Sequence, residues 1–237
     1  MTLEVLQSRQ QIREGRRTLR RRDISFLSST WRTWLSRYLP MPGIMVGDGL
    51  KSWDVLKTAE FIEQHVAKEA PVLDIGAYAS EIPLVLCRMG YQRVSALDLN
   101  PDLAKMPFSD QIDYRIGNFL QAPYADGFFA AITAISVIEH GFDGEALAAE
   151  VARLLKPGGF FIASFDYWPE KISTEGQDIF GMSWTIFSKP EVEQFIALAK
   201  SKGLVSYGPM NFSAGGKPIS CFGRDYTFAW LAIKKTA

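Results

Sequence analysis

Four segments of this chain end an apolar run with residues that can hold a ligand or move a proton. Val72-Leu73-Asp74-Ile75-Gly76-Ala77-Tyr78 sets an acid just before a glycine turn. Gly76 permits a tight turn and a close backbone approach, and amides opening a following helix would face a ligand. Leu97-Asp98-Leu99-Asn100 sets a second acid about 20 residues further on, the offset from which a carboxylate reaches both hydroxyls of a ribose. Gly117-Asn118-Phe119 offers an amide for an adenine amino group and a ring to stack on it; the plainer alternative is a turn with a core phenylalanine. Ser136-Val137-Ile138-Glu139-His140-Gly141 brings a Glu-His pair. Histidine is the natural base near neutral pH, so His140 is the candidate base, with Glu139 orienting it or binding substrate.

These segments need a scaffold that gathers them. The hydrophobic pattern predicts strands at 72–75, 93–97, 112–116, 128–135, 160–165, 204–207 and 226–233. Helices are expected at 52–68, with Ser52 as N-cap, and near 80–88, 144–155 and 189–201. Lys156-Pro157-Gly158-Gly159 reads as a turn into the fifth strand. The alternation implies right-handed crossovers and a mostly parallel α/β sheet, whose ligand site lies outside the carboxyl ends of the strands. Asp74 in the first turn would repel a pyrophosphate but attract the ammonium of an amino-acid ligand, which favours S-adenosylmethionine over a dinucleotide. A nicotinamide-dependent dehydrogenase is the weaker reading, because Tyr78 and Glu81 stand where G-x-G-x-x-G needs glycines.

Taken together, the strand ends resemble the class I S-adenosylmethionine-dependent methyltransferases, in the small-molecule, methyltransferase type 11-like branch. Residues 72–76 look like the family's first motif, and 97–100 like its acidic ribose-binding loop. Gly117-Asn118-Phe119 stands at the adenine contact, 136–140 after strand four, and Leu154 to Gly159 before strand five. The resemblance implies a Rossmann-like three-layer sandwich. Its seven-stranded, mostly parallel sheet has the order 3-2-1-4-5-7-6, with the last strand antiparallel. It assigns S-adenosylmethionine, with S-adenosylhomocysteine as product, to Asp74, Gly76, Ala77, Tyr78, Asp98, Leu99, Asn118, Phe119 and Ser136. The first motif departs from Asp-x-Gly-x-Gly-x-Gly, since Tyr78 and Ser80 replace its later glycines. A side chain at 78 either obstructs the methionine end of the cofactor or packs over it. The rival reading is a binding or scaffold protein on the same fold.

Composition sets outer bounds. The 237 residues are 47% hydrophobic and 22% charged with a formal net charge of zero, ordinary for a globular chain. No global field draws nucleic acid or membrane, so the expected partner is a small-molecule acceptor, most simply a hydroxyl. Two separated cysteines and two histidines argue against a disulfide framework and against a metal site. No leader or membrane span is expected, and the cytoplasm is the expected compartment. Residues 1–50 read as a basic helical extension and linker, and 51–237 as the methyltransferase domain. Nine arginines, no lysine and three acids fall in residues 1–40. The helix expected at Arg9–Arg22 is either a solvated face that docks by Trp31, Trp34 and Tyr38, or a patch for an anionic partner, including an RNA substrate. Pro40, Pro42, Gly43, Gly47 and Gly49 read as a loop.

Overall fold

A computed structural model describes residues 2–28 and 44–236; Trp31, Trp34, Tyr38, Pro40, Pro42 and Gly43 lie outside them. In chain order, β1 (Leu3–Val5) leads into α1 (Arg9–Arg21), and a 3-10 turn at Gly49–Lys51 opens α2 (Ser52–His65). The regular alternation follows with β2 (Val72–Ile75), α3 (Ile82–Arg88), β3 (Val94–Asp98), β4 (Ile112–Ile116) and β5 (Phe129–Ile135). Then come α4 (Gly144–Leu154), β6 (Leu155–Tyr167) and a hairpin of β7 (Asp178–Ile179) and β8 (Met182–Ser183). The chain continues through α5 (Lys189–Ser201), β9 (Leu204–Ser206), β10 (Ile219–Cys221) and β11 (Arg224–Lys235).

The main sheet runs β4-β3-β2-β5-β6-β11-β1. The strands from β4 to β6 are parallel, and β11 is antiparallel to β6. This is the expected order 3-2-1-4-5-7 over six positions. The seventh position differs: β9 pairs with β11 at Ile233–Lys235, while β1 pairs with it at Leu231–Ala229, and β10 pairs near its start. A three-residue β9 is too short to cover a twelve-residue neighbour, so the N-terminal strand satisfies the edge amides left over.

Two hydrophobic clusters flank the sheet. Leu147, Val151, Val192 and Phe195 from α4 and α5 cover one face. Leu19, Val55, Ile62 and Val85 from α1, α2 and α3 cover the other. β2, buried on both sides, is apolar at every position but Asp74, as expected of a central parallel strand. Helix α1 lays Ile12, Gly15, Arg16 and Leu19 on the domain and exposes Arg13, Arg17, Arg20 and Arg21. A Cβ at Gly15 would lie 2.7 Å from the Ser52 carbonyl oxygen, so glycine is what lets α1 approach α2.

Two local expectations need correction. Ser52 is the first helical residue rather than the N-cap, because the 3-10 turn places Lys51 there; the Ser52 hydroxyl donates to Gly49 O at 2.5 Å and accepts from Arg16 Nε. Lys156–Gly159 is not a separate turn. It lies inside β6 as an irregularity, where pairing jumps from Phe129↔Leu155 to Ala131↔Phe160. Among the described residues, no helix is long and apolar enough to cross a membrane.

Candidate active site

The carboxyl ends of β2, β3 and β5, with the turn before α2, enclose a cleft of about 750 Å³. Gly76, Tyr78, Asp98, Leu99 and Phe119 line one half. Ser136, His140, Lys51, Phe180 and Met182 line the other.

In the first half, the acid after β3 is tied to the turn after β2. Tyr78 N donates to Asp98 Oδ2 at 2.9 Å, and Asn100 N donates to Asp98 Oδ1 at 2.8 Å. Each oxygen keeps a lone pair for a ligand hydroxyl. Gly76 takes φ +66°, and a Cβ there would stand 2.3 Å from Val137 Cγ2. Asp74 lies buried behind this turn. Its Oδ1 accepts from the Thr133 hydroxyl at 2.5 Å, while Oδ2 has no partner. Burial pushes the Asp74 carboxyl up to about 7, with the Thr133 hydroxyl opposing and the nearby Asp98 adding to the rise. A buried oxygen without a donor is costly unless something cationic or donating reaches it.

The other residues singled out from the sequence sit variously. Ala77 is fully buried, and its amide donates to Leu97 O at 3.2 Å, so it backs the turn. Leu99 is an exposed apolar rim. Asn118 is exposed, and its side chain accepts from Leu120 N at 2.9 Å, capping the 3-10 turn at Phe119–Gln121; it is not part of the cleft wall, whereas Phe119 is. Tyr78 stands in the wall of a cleft that remains open beside it.

The second half centres on the loop after β5. Ser136 takes φ +58°, a left-handed conformation uncommon outside glycine. Its hydroxyl donates to Glu139 Oε1 at 2.5 Å. Glu139 is fully buried and its carboxyl is raised, chiefly by burial, with Lys51 and Ser136 opposing. His140 faces Phe180 at 5.5 Å between ring centroids. Burial lowers its pKa below the ordinary 6.5, with Asp166 opposing and Lys51 reinforcing, which favours the neutral ring. The β7–β8 hairpin secures this loop, with Gly141 N donating to Ser183 O at 2.8 Å and Thr185 N to Glu139 O at 2.9 Å. Of the aromatics between Asp166 and Phe187, Phe180 lines the cleft, while Tyr167, Trp184 and Phe187 are buried packing.

Sequence reasoning missed the contribution of the segment before α2. Gly47, Asp48 and Lys51 line the cleft, and Gly47 N donates to Ala79 O at 2.8 Å. Glu81, also on the wall, accepts from Arg16 at 2.7 Å through both oxygens and from the amides of Phe26 and Leu27 at 2.6 and 3.0 Å. The first-motif loop, lacking two glycines, is thus braced by the N-terminal segment. No periodic pattern announces these contacts; the departures at Tyr78 and Ser80 were the only sequence sign that the loop is built differently.

Residues 73–163 match the family model described as a methyltransferase domain. The ubiquinone biosynthesis O-methyltransferase of Xanthomonas oryzae pv. oryzae is 36% identical over 108 residues, covering 42% of this chain and 45% of that protein. The match therefore spans less than half the length of such curated relatives. Among solved structures, the cyclase SpnF superposes with a TM-score of 0.60 at 16% identity, covering 81% of this chain and 83% of that one. Geranyl diphosphate C-methyltransferase from Streptomyces coelicolor A3(2) superposes with a TM-score of 0.55 at 17% identity, covering 76% and 78%. At those identities the structures speak for the fold. Residues 73–163 thus match a methyltransferase domain, set on the sheet that these solved structures share.

Proposed function

We propose that this protein transfers a methyl group from S-adenosylmethionine to a hydroxyl of a small molecule. The observation that carries the reading is a cleft lined both by an amide-held acid, Asp98, and by a half-buried histidine, His140. The residues fit the cofactor. The free lone pairs of Asp98 suit ribose hydroxyls, and Leu99 and Phe119 suit the faces of an adenine, whereas Asp74, buried behind the Gly76 turn, is not part of the cleft wall. When bound, S-adenosylmethionine supplies an activated methyl whose sulfur leaves as a neutral thioether. The chain's own work is alignment, exclusion of water and handling of one proton.

His140 takes the hydroxyl proton of the acceptor, and its depressed pKa keeps it free to do so at neutral pH. Glu139 does not touch the cleft; through Ser136 and the Thr185 amide it holds the loop that carries His140. Phe180 and Met182 give the acceptor an apolar wall. An O-methyltransferase name among the relatives supports a hydroxyl acceptor. Methyl-labelled S-adenosylmethionine offered with a panel of small hydroxylated compounds tests the reading. His140→Ala should lower kcat roughly 10²–10⁴-fold on any compound that is methylated, the usual worth of a general base. Turnover should fall on acidification with an apparent pKa below 6.5. Near wild-type turnover in His140→Ala would remove the histidine from the mechanism.

A further inference from the structure

One described cation stands in the acceptor half of the cleft wall, and the matched domain does not contain it. Lys51 precedes residue 73, where the family match begins. Its ammonium lies 3.4 Å from the centroid of the Phe228 ring and 3.8 Å from Asp166 Oδ1, and Lys51 is among the residues that line the cleft with His140. Behind it three carboxyls converge from different elements: Asp54 from α2, Glu139 from the loop after β5, and Asp166 from β6. All three are buried.

This shell is short of hydrogen bonds. Glu139 Oε2 and His140 Nδ1 have no hydrogen-bond partner, Asp166 Oδ1 has only the Lys51 ammonium at 3.8 Å, and Asp54 has at most the Ser164 hydroxyl beside it. Buried polar atoms without partners are rare and ask for a reason. The partners that do exist are few: Trp184 Nε1 donates to Asp166 Oδ2 at 2.8 Å, and Ser136 to Glu139 Oε1. Tyr226 and Cys221 face Asp166 from β11 and β10. Three ionised carboxylates so close would cost far more than one ammonium returns. The molecule resolves this by holding protons: burial raises Glu139, takes Asp54 to about 7 and takes Asp166 to about 6. Around neutral pH the shell therefore carries fewer negative charges than carboxyl groups. It fixes Lys51 in place without cancelling it.

Resting on the methyl-transfer reading above, we infer that Lys51 is a second acceptor-binding residue, whose ammonium receives the acceptor hydroxyl as it becomes an oxyanion. The acceptor class that gains most is a small molecule with an acidic hydroxyl, of the phenol or enol kind. The proton goes from that hydroxyl to His140, and Lys51 makes and breaks no bond. Asp54, Glu139 and Asp166 act through Lys51 and are positioning residues.

The experiment reads the ionisation of a bound probe, 4-nitrophenol, by absorbance as a function of pH, with S-adenosylhomocysteine present. In the wild type the apparent pKa of the bound probe should fall by about one unit below its value in free solution, a tenfold shift. Lys51→Met should abolish the fall, and Lys51→Arg should keep most of it. The double variant Lys51→Met/Asp166→Asn, which removes the ion pair as a unit, should behave like Lys51→Met and guards against loss of folding in the single variant. No binding of the probe, no fall in the wild type, or an equal fall in Lys51→Met overturns the inference. Calorimetry with S-adenosylhomocysteine on the same samples separates the two claims. Binding with an unaltered probe rejects Lys51 alone, and absence of binding rejects the methyl-transfer reading beneath it.

Discussion

At the scale of residues, burial raises the carboxyls of Asp54, Asp74, Glu139 and Asp166 around the site. Asp54 illustrates the consequence for stability. Burial raises its folded pKa to about 7, well above the ordinary carboxylate range. A carboxyl shifted upward contributes stability that is fully present below the unfolded value and is lost as pH rises through the folded one. Acidifying from pH 8 towards 5 should therefore stabilise the protein through this group. Asp54→Asn, which is neutral at every pH, should flatten the dependence of Tm on pH across that window. It should also raise Tm at pH 8 by at least ~2–4 °C, what about 1 kcal/mol is worth in a chain this size. An unchanged slope between pH 5 and 8 would mean that Asp54 is ionised in the folded state. The acids at 74 and 98 were legible in the sequence because each interrupts or ends an apolar strand. Asp54 and Asp166 were not, since an acid on a helix or at a strand end normally faces water, and non-local packing, Trp184 over Asp166 included, buries this pair.

At the scale of elements, turns decide the site. Gly76 combines φ +66° with a Cβ position 2.3 Å from Val137, so Gly76→Ala strains the backbone and pushes the turn off the loop that carries Ser136 and His140. We expect affinity for S-adenosylhomocysteine to drop at least ~10-fold, the equivalent of about 1.4 kcal/mol, well within what strain at such a position costs. Equal affinities by calorimetry would show that the turn absorbs the methyl. The elements around it were read well where the period was regular: the strand at Val72–Ile75, the strand at Ile112–Ile116 and the helix at Lys189–Ser201 match to the residue. What escaped was short or non-local. β1 has three residues and exists because β11 offers an open edge more than 200 positions away. The β7–β8 hairpin turns on Phe180 and Gly181, both at positive φ, and no Asn-Gly or Asp-Gly pair advertises it.

At the scale of the whole molecule, the N-terminal segment belongs to the site. The charge pattern of residues 1–40 suggested a solvated basic helix, and Arg13, Arg17 and Arg20 fit that picture. Arg16 does not. It is buried, and its two-pronged pair with Glu81 joins α1 to the start of α3. Removing one partner of a buried pair strands the other charge, at a typical cost of ~3–5 kcal/mol, whereas replacing both by apolar groups is often close to neutral. Arg16→Met should therefore lower Tm sharply, and Arg16→Met/Glu81→Met should recover most of the loss. Equal destabilisation in the single and double variants would assign the effect to the amides of Phe26 and Leu27, which lose their acceptor in the double variant alone. The braced first-motif loop and Asp98 bound the cleft proposed to hold S-adenosylmethionine. The most direct test is calorimetric titration of the full chain with S-adenosylmethionine and S-adenosylhomocysteine, alongside Asp98→Ala. Saturable one-to-one binding of both, weakened at least ~100-fold when the Asp98 carboxylate is lost, a change of about 2.7 kcal/mol, is the expected result. No binding to the wild type, or equal binding to Asp98→Ala, would contradict it and leave a methyltransferase fold serving as a scaffold.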